Sequence, residues 1–210
     1  MFKPILFNTE MVKAIIEGRK TQTRRIAKQL CGLDPRVDGL LPENFKFLVS
    51  PYTSAVYWED LERQVTVDGK IVLTPCWRND ILWVRETWCE NKNPNSQNFG
   101  GYEYRADYEG ALCQELITWC PSIHMPKQAA RIFLRVKDVR VERLHDMDEE
   151  NAIAEGFADS PAGTDSPLQR FTELWDKTIK REDLREFGYH ANPWVWVIEF
   201  ERVEKPEDWE

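Results

Sequence analysis

The sequence predicts an α+β fold: a small mixed β-barrel with helices at its ends. Three observations point there. The predicted order is β-α-β, then mainly strands, with helices late in the chain. The strands are short, scattered and not separated by helices at regular intervals, which argues against a doubly wound parallel sheet. No internal repeat, low-complexity segment or composition shift divides the 210 residues, so residues 1–205 read as one domain with insertions and residues 206–210 as a loose tail.

The elements follow from local pattern. Residues 4–7 form a short apolar strand. Asn8 or Thr9 caps a helix over 9–17, with Glu10 in its first turn and Met11, Val12, Ile15 and Ile16 on one stripe. Gly18 stands where a helix end favours a left-handed residue. A strand over 21–26 puts Thr21, Thr23 and Arg25 on one face and Gln22 and Arg24 on the other. Residues 28–75 read as an irregular insertion. Its one hairpin-like piece joins residues 64–67 to 70–73 through Asp68-Gly69, a two-residue turn signal. Residues 81–88 read as one strand, with Leu82, Val84, Glu86 and Trp88 facing one way. Glu86 on that apolar face is either a strand-end residue paired with an Arg or a carboxylate at a cavity mouth. Residues 90–127 read as loops, and residues 131–144 as a long half-exposed strand. Asp148 starts a helix over 148–156 that Gly156 closes. A second helix over 167–179 carries Phe171, Leu174, Trp175 and Ile179 on one stripe, and residues 194–203 form the last strand.

Composition narrows the function. Net charge is −8 and hydrophobic content 42%, so no bulk basic field draws the chain to nucleic acid or to a membrane. The charge is uneven: residues 1–30 hold seven basic and two acidic groups, a local +5, whereas 146–210 hold eighteen acidic and seven basic, a local −11. The five cysteines show no CxxC spacing, hence neither a zinc signature nor a disulfide framework. With no signal-peptide region and no apolar run near the ~18 residues of a membrane span, a cytoplasmic protein with no membrane partner is expected. Nine Trp residues suit a core or a base-stacking platform.

The most informative stretch is Gly18-Arg19-Lys20-Thr21-Gln22-Thr23-Arg24-Arg25. It places a Lys, two Thr and three Arg in eight positions after an apolar helix. Those groups suit a solvated basic edge, a grip on phosphates, or a site where a Thr hydroxyl is activated by a base.

The Gly18-x-Lys20-x-x-Thr23-x-Arg25 run, with the helix before it and the closing Trp194-Val195-Trp196-Val197-Ile198-Glu199-Phe200 strand, resembles the signature of the ASCH domain family. The closer resemblance is to prophage-encoded ASCH proteins. It rests on the 81–88 strand, Tyr104-Arg105-Ala106-Asp107, Pro121-Ser122-Ile123-His124-Met125-Pro126, and Glu149-Glu150-Asn151-Ala152-Ile153-Ala154-Glu155-Gly156-Phe157. Lys127-Gln128 stands where the prophage pattern carries a Trp. The resemblance implies a PUA-like mixed β-barrel with flanking helices and long loop insertions, and a link to RNA and nucleoside chemistry. Small bacterial members include amidohydrolases that deacylate 4-acetylcytidine. Carried over, their catalytic groups fall on Lys20, Thr23, Arg25 and Glu155, with Glu150 as the alternative acid.

The site is then a concave face of the Lys20–Arg25 strand, the Trp83–Trp88 strand and the 148–156 helix. Arg24, Trp83, Arg85, Glu86, Trp88, Tyr104 and His124 are its substrate-binding candidates, and His124 is equally a surface residue. His145 and His190 have no visible partners. The expected ligand is a modified nucleoside or single-stranded nucleic acid, with hydrolysis of an amide as the reaction. The alternatives are a non-catalytic RNA- or DNA-binding module and a metal-dependent nuclease using Glu86, Asp107 and Glu155. Nothing in the spacing of those carboxylates requires a metal, and no cofactor is expected.

Overall fold

A computed structural model describes residues 1–30, 47–49, 56–58, 66–67, 70–108, 117–158 and 165–209. By internal packing the chain forms two compact units. Unit 1 is Met1–Arg19, Asp80–Arg135 and Glu201–Glu210; unit 2 is Lys20–Asn79 and Val136–Phe200. Each unit is assembled from segments distant in the sequence.

The main sheet is mixed. Its central path uses β1 (Phe2–Leu6), β2 (Gln22–Ile26), β7 (Ile81–Arg85), β10 (Phe133–Arg143) and β11 (Trp194–Val203), in the order β1-β7-β10-β11-β2. β1 runs parallel to β7, with Phe2 opposite Ile81, and the pairs β7–β10 and β11–β2 are antiparallel. The mixed α+β character agrees with the sequence reading, and among the described residues no pairing joins β1 to β2.

Unit 1 opens with β1 and α1 (Thr9–Ile16). Asn8 caps α1 by accepting from the Met11 N–H at 2.8 Å. The helix ends on Gly18 at φ +77°: the Gly18 N–H donates to the Ile15 carbonyl and the Arg19 N–H to Ala14. This paired closure consumes carbonyls that a helix end otherwise leaves open. A Cβ at Gly18 meets nothing within 4 Å, so only backbone strain opposes one. Gly18→Ala is expected to lower stability by about 1 kcal/mol in urea unfolding; an unchanged or more stable variant counts against this ending.

The predicted 81–88 strand is two strands. β7 stops at Arg85, and β8 (Trp88–Glu90) pairs antiparallel with β9 (Tyr102–Tyr104). The break falls at Glu86, whose N–H donates to Met125 Sδ at 3.1 Å instead of a ladder carbonyl. Burial alternates as predicted through Leu82, Val84 and Glu86, while Trp88 begins the new ladder. The described residues of the 90–127 segment contribute β9 and short 3₁₀ turns.

Nor is the segment after Lys205 loose. Trp209 is 7% exposed and packs on Phe2, Trp83 and Phe133, with ring centroids 5.0, 5.7 and 4.9 Å away. Met125, Ala129, Ala130 and Phe133 are buried in the same cluster. Three large rings ready to bury the indole outweigh the acidic, Pro-containing character of the segment.

In unit 2, β2 begins at Gln22 rather than Thr21 and pairs with β11. β3 (Phe47–Val49) and β4 (Val56–Trp58) pair with each other, and β3 reaches β10 at Val141. Part of the supposedly irregular 28–75 insertion is thus an extension of the sheet. The predicted hairpin is present as β5 (Thr66–Val67) against β6 (Lys70–Ile71); its turn, Asp68-Gly69, lies outside the described residues.

α2 (Glu149–Ala154) starts at Asp148, which accepts from the Asn151 N–H, and closes like α1: Gly156 lies at φ +99°, and the Gly156 and Phe157 N–H groups donate to Ile153 and Ala152. Phe157 then meets Phe171 of α3 (Pro167–Thr178) at 5.8 Å, as the sequence stripe implies. One further short helix, α4 (Leu184–Phe187), was not foreseen; its Phe187 carbonyl accepts from Trp175 Nε1 at 2.9 Å.

Candidate functional site

Two helix endings build the site. The turn at Gly18 delivers Lys20 ahead of β2, and the turn at Gly156 ends α2 on Glu155. The two residues form an isolated antiparallel bridge, flanked by Thr21 N–H donating to the Ala154 carbonyl at 2.8 Å. Lys20 therefore lies outside β2, in this bridge.

Lys20 Nζ donates to Glu155 Oε2 at 2.6 Å and to the Glu155 carbonyl at 2.8 Å, with side-chain exposures of only 2% and 4%. Burial pushes the Lys20 ammonium below its ordinary range, the Glu155 carboxylate and its hydrogen bond oppose that shift, and the charges of Arg25 and Arg24 reinforce it. A carboxylate at a helix C-terminus is disfavoured by the helix dipole, so Glu155 needs these cations.

Arg24 completes the pair. Its NH1 lies 3.2 Å from Glu155 Oε1, and its NH2 donates to Asn151 Oδ1 at 3.1 Å and Glu142 Oε2 at 3.3 Å. Its Nε has no hydrogen-bond partner among the described residues. Gln22 Nε2 donates to the Asn151 carbonyl and to Asn151 Oδ1. Lys20, Gln22 and Arg24, spaced two apart, thus all bond to α2. Thr23 lies between them, buried opposite Ile198, while Arg25 is exposed opposite Trp196 and donates to the Arg24 carbonyl at 3.2 Å. Glu150 is exposed, so the acid at Lys20 is Glu155.

The remaining candidates belong to unit 1. Glu86 is buried and takes a two-point contact from Arg131: Nε to Oε1 and NH2 to Oε2, both 2.9 Å. Arg131 NH1 reaches Asp107 Oδ2 at 2.7 Å, and its guanidinium stacks 3.8 Å over the Tyr104 ring. Burial raises the Glu86 carboxyl and the Arg131 hydrogen bonds pull it back. Burial alone would lower Arg131, but its bonds to Glu86 and Asp107 more than reverse that. Tyr104 is pushed up to about 12, chiefly by burial, and donates to the Ala129 carbonyl at 2.6 Å. Of the two readings of Glu86, the contacts show the strand-end carboxylate paired with an Arg.

Arg85 lies over Trp83 at 5.6 Å and donates to the Ile123 carbonyl. Trp88 Nε1 is buried with no hydrogen-bond partner among the described residues. His124 is exposed in the 3₁₀ turn Ser122–His124. The carboxylates of the nuclease alternative engage cations: Glu86 and Asp107 share Arg131, and Glu155 bonds Lys20 and Arg24. No cluster of three or more potential metal ligands occurs among the described residues, and none of their helices is long and apolar enough to cross a membrane.

Sequence reasoning missed Asn151, Glu142 and Arg131. The signal for Asn151 was present in Asp148-x-x-Asn151, an N-cap with a polar residue three positions on. Comparison with known families, curated proteins and solved structures returns no match for this chain. The ASCH resemblance therefore rests on the motifs quoted above.

Proposed function

We propose that this chain is a cytoplasmic ASCH-type protein with a PUA-like barrel, and that it binds a modified nucleoside or single-stranded nucleic acid at the Lys20–Arg25 run and hydrolyses an amide on it, as in 4-acetylcytidine deacylation. The observation that carries the reading is the buried Lys20–Glu155 pair. An enclosed lysine beside guanidinium groups loses its proton more readily than a solvated one, and a base of that kind is what a Thr nucleophile needs.

In this reading the Lys20 amine takes the Thr23 hydroxyl proton as Thr23 Oγ1 bonds to the acyl carbon. Arg25 stabilises the negative charge that develops on the acyl oxygen, a role worth roughly 3 kcal/mol in acyl transfer. The C–N bond then breaks and the leaving amine takes the proton back from Lys20. Water hydrolyses the Thr23 ester, releasing the carboxylic acid and restoring the hydroxyl. Glu155 holds Lys20 and exchanges protons with it. The exposed Arg25 supports the binding half of the reading, because an accessible guanidinium suits an anionic or carbonyl-bearing ligand.

The test is incubation of the pure protein with 4-acetylcytidine, following cytidine release by chromatography, beside Thr23→Ala. Turnover by the wild type and at least a hundredfold less by Thr23→Ala is expected. Equal turnover removes Thr23 as nucleophile. No turnover by either protein overturns the amidohydrolase reading, and salt-sensitive binding of single-stranded RNA then decides whether the run is a binding module.

A further inference from the structure

We infer that Arg24 is a positioning residue: it holds one oxygen of Glu155 so that the other is presented to Lys20, and it anchors that carboxylate to both ends of α2. The inference rests on reading Lys20 and Glu155 as the working pair. It reassigns a residue that the sequence alone groups with the substrate-binding candidates.

Burial is the first ground. The Arg24 side chain is 0% exposed, so its guanidinium is closed to an incoming ligand while Arg25, the next residue, is open. The second ground is how the carboxylate is shared. Glu155 Oε1 faces Arg24 and Oε2 faces Lys20. A carboxylate held at one oxygen can swing; held at both by donors from two positions of one chain segment, it cannot.

The third ground is what holds Arg24. Asn151 N and Nδ2 both donate to Asp148 Oδ1, at 2.8 and 2.6 Å. That fixes the amide so that its oxygen turns toward Arg24 and Gln22. Asp148 is the N-cap of α2 and Glu155 its C-cap. A polar chain thus runs Asp148–Asn151–Arg24–Glu155–Lys20 along the helix. Glu142, from β10, anchors the guanidinium from a third element. Reaching three acceptors needs a planar fork, which an ammonium group does not have.

The charged groups facing Lys20 are Glu155 from α2 and Arg24 and Arg25 from β2; Glu142 faces Arg24. Without Arg24, Glu155 keeps Lys20 as its one hydrogen-bonded cation beside the charge of Arg25, and Lys20 keeps its proton to higher pH. The experiment is an NMR titration of ¹⁵N-labelled lysine side chains in the full chain, which needs no ligand, together with steady-state deacylation kinetics. Arg24→Gln is expected to raise the Lys20 midpoint by about one pH unit and to lower kcat at least tenfold with KM changed less than about twofold. Arg24→Lys keeps the charge but gives up the fork; it should raise the midpoint by about half a unit, and it decides the matter should Arg24→Gln fail to fold. An unmoved Lys20 midpoint in a folded variant, or a rise in KM at constant kcat, overturns the inference. If the wild type deacylates nothing, the function falls, and the titration alone still decides the role of Arg24.

Discussion

Glu155→Ala is expected to destabilise the protein by about 3–5 kcal/mol, the range for removing one partner of a buried ion pair. Its two cationic partners are themselves buried, at 2% and 0% side-chain exposure, so neither can recover its hydration once the carboxylate is gone. Lys20 would keep the Glu155 carbonyl, and Arg24 would keep Asn151 and Glu142. That retained bonding caps the loss near the stated range. Lys20→Met should cost less, because it removes a charge from the cluster and leaves Glu155 with Arg24. Urea unfolding of both variants measures the difference. A Glu155→Ala loss below about 1 kcal/mol would mean that the cluster is solvated rather than buried.

Trp209→Ala is expected to cost about 3 kcal/mol, at the lower edge of the range for a buried aromatic. Its indole meets three other rings and lies under the Lys127 ammonium at 4.4 Å, so truncation removes a large apolar area and opens a cavity among Phe2, Trp83 and Phe133. The loss stays at the lower edge because the chain nearby can open locally instead of unfolding throughout. Denaturant unfolding reports the size, and amide exchange in β1 reports whether the opening is local. A change under about 0.5 kcal/mol would restore the loose tail that the acidic composition suggests.

How much was legible depended on how far each interaction reaches along the chain. The helix endings at Gly18 and Gly156 were readable, because a glycine after an apolar stripe is a local signal. The choice of Glu155 over Glu150 needed the register between β2 and α2, which no local pattern encodes. Arg24 and Arg25 are adjacent and chemically identical; only contacts with residues more than a hundred positions away, Glu155 and Glu142, tell them apart. β3 and β4 escaped because three-residue strands are too short to show a period. The mixed α+β class was readable from the order and scatter of the strands, and the main sheet is mixed. The two units escaped notice because segments that interleave leave no boundary in composition.

That interleaving has a consequence for how the protein is made. The aromatic cluster around Trp209 joins Phe2, Trp83 and Phe133 across more than two hundred positions, and it is incomplete until residue 209 has been synthesised. Until then Phe2, Trp83 and Phe133 lack the indole that packs on all three. The Lys20–Glu155 pair, by contrast, needs nothing beyond α2 to meet. Contacts this distant in sequence slow folding and prolong the exposure of apolar rings in the nascent chain, which makes the growing polypeptide a natural client for chaperones.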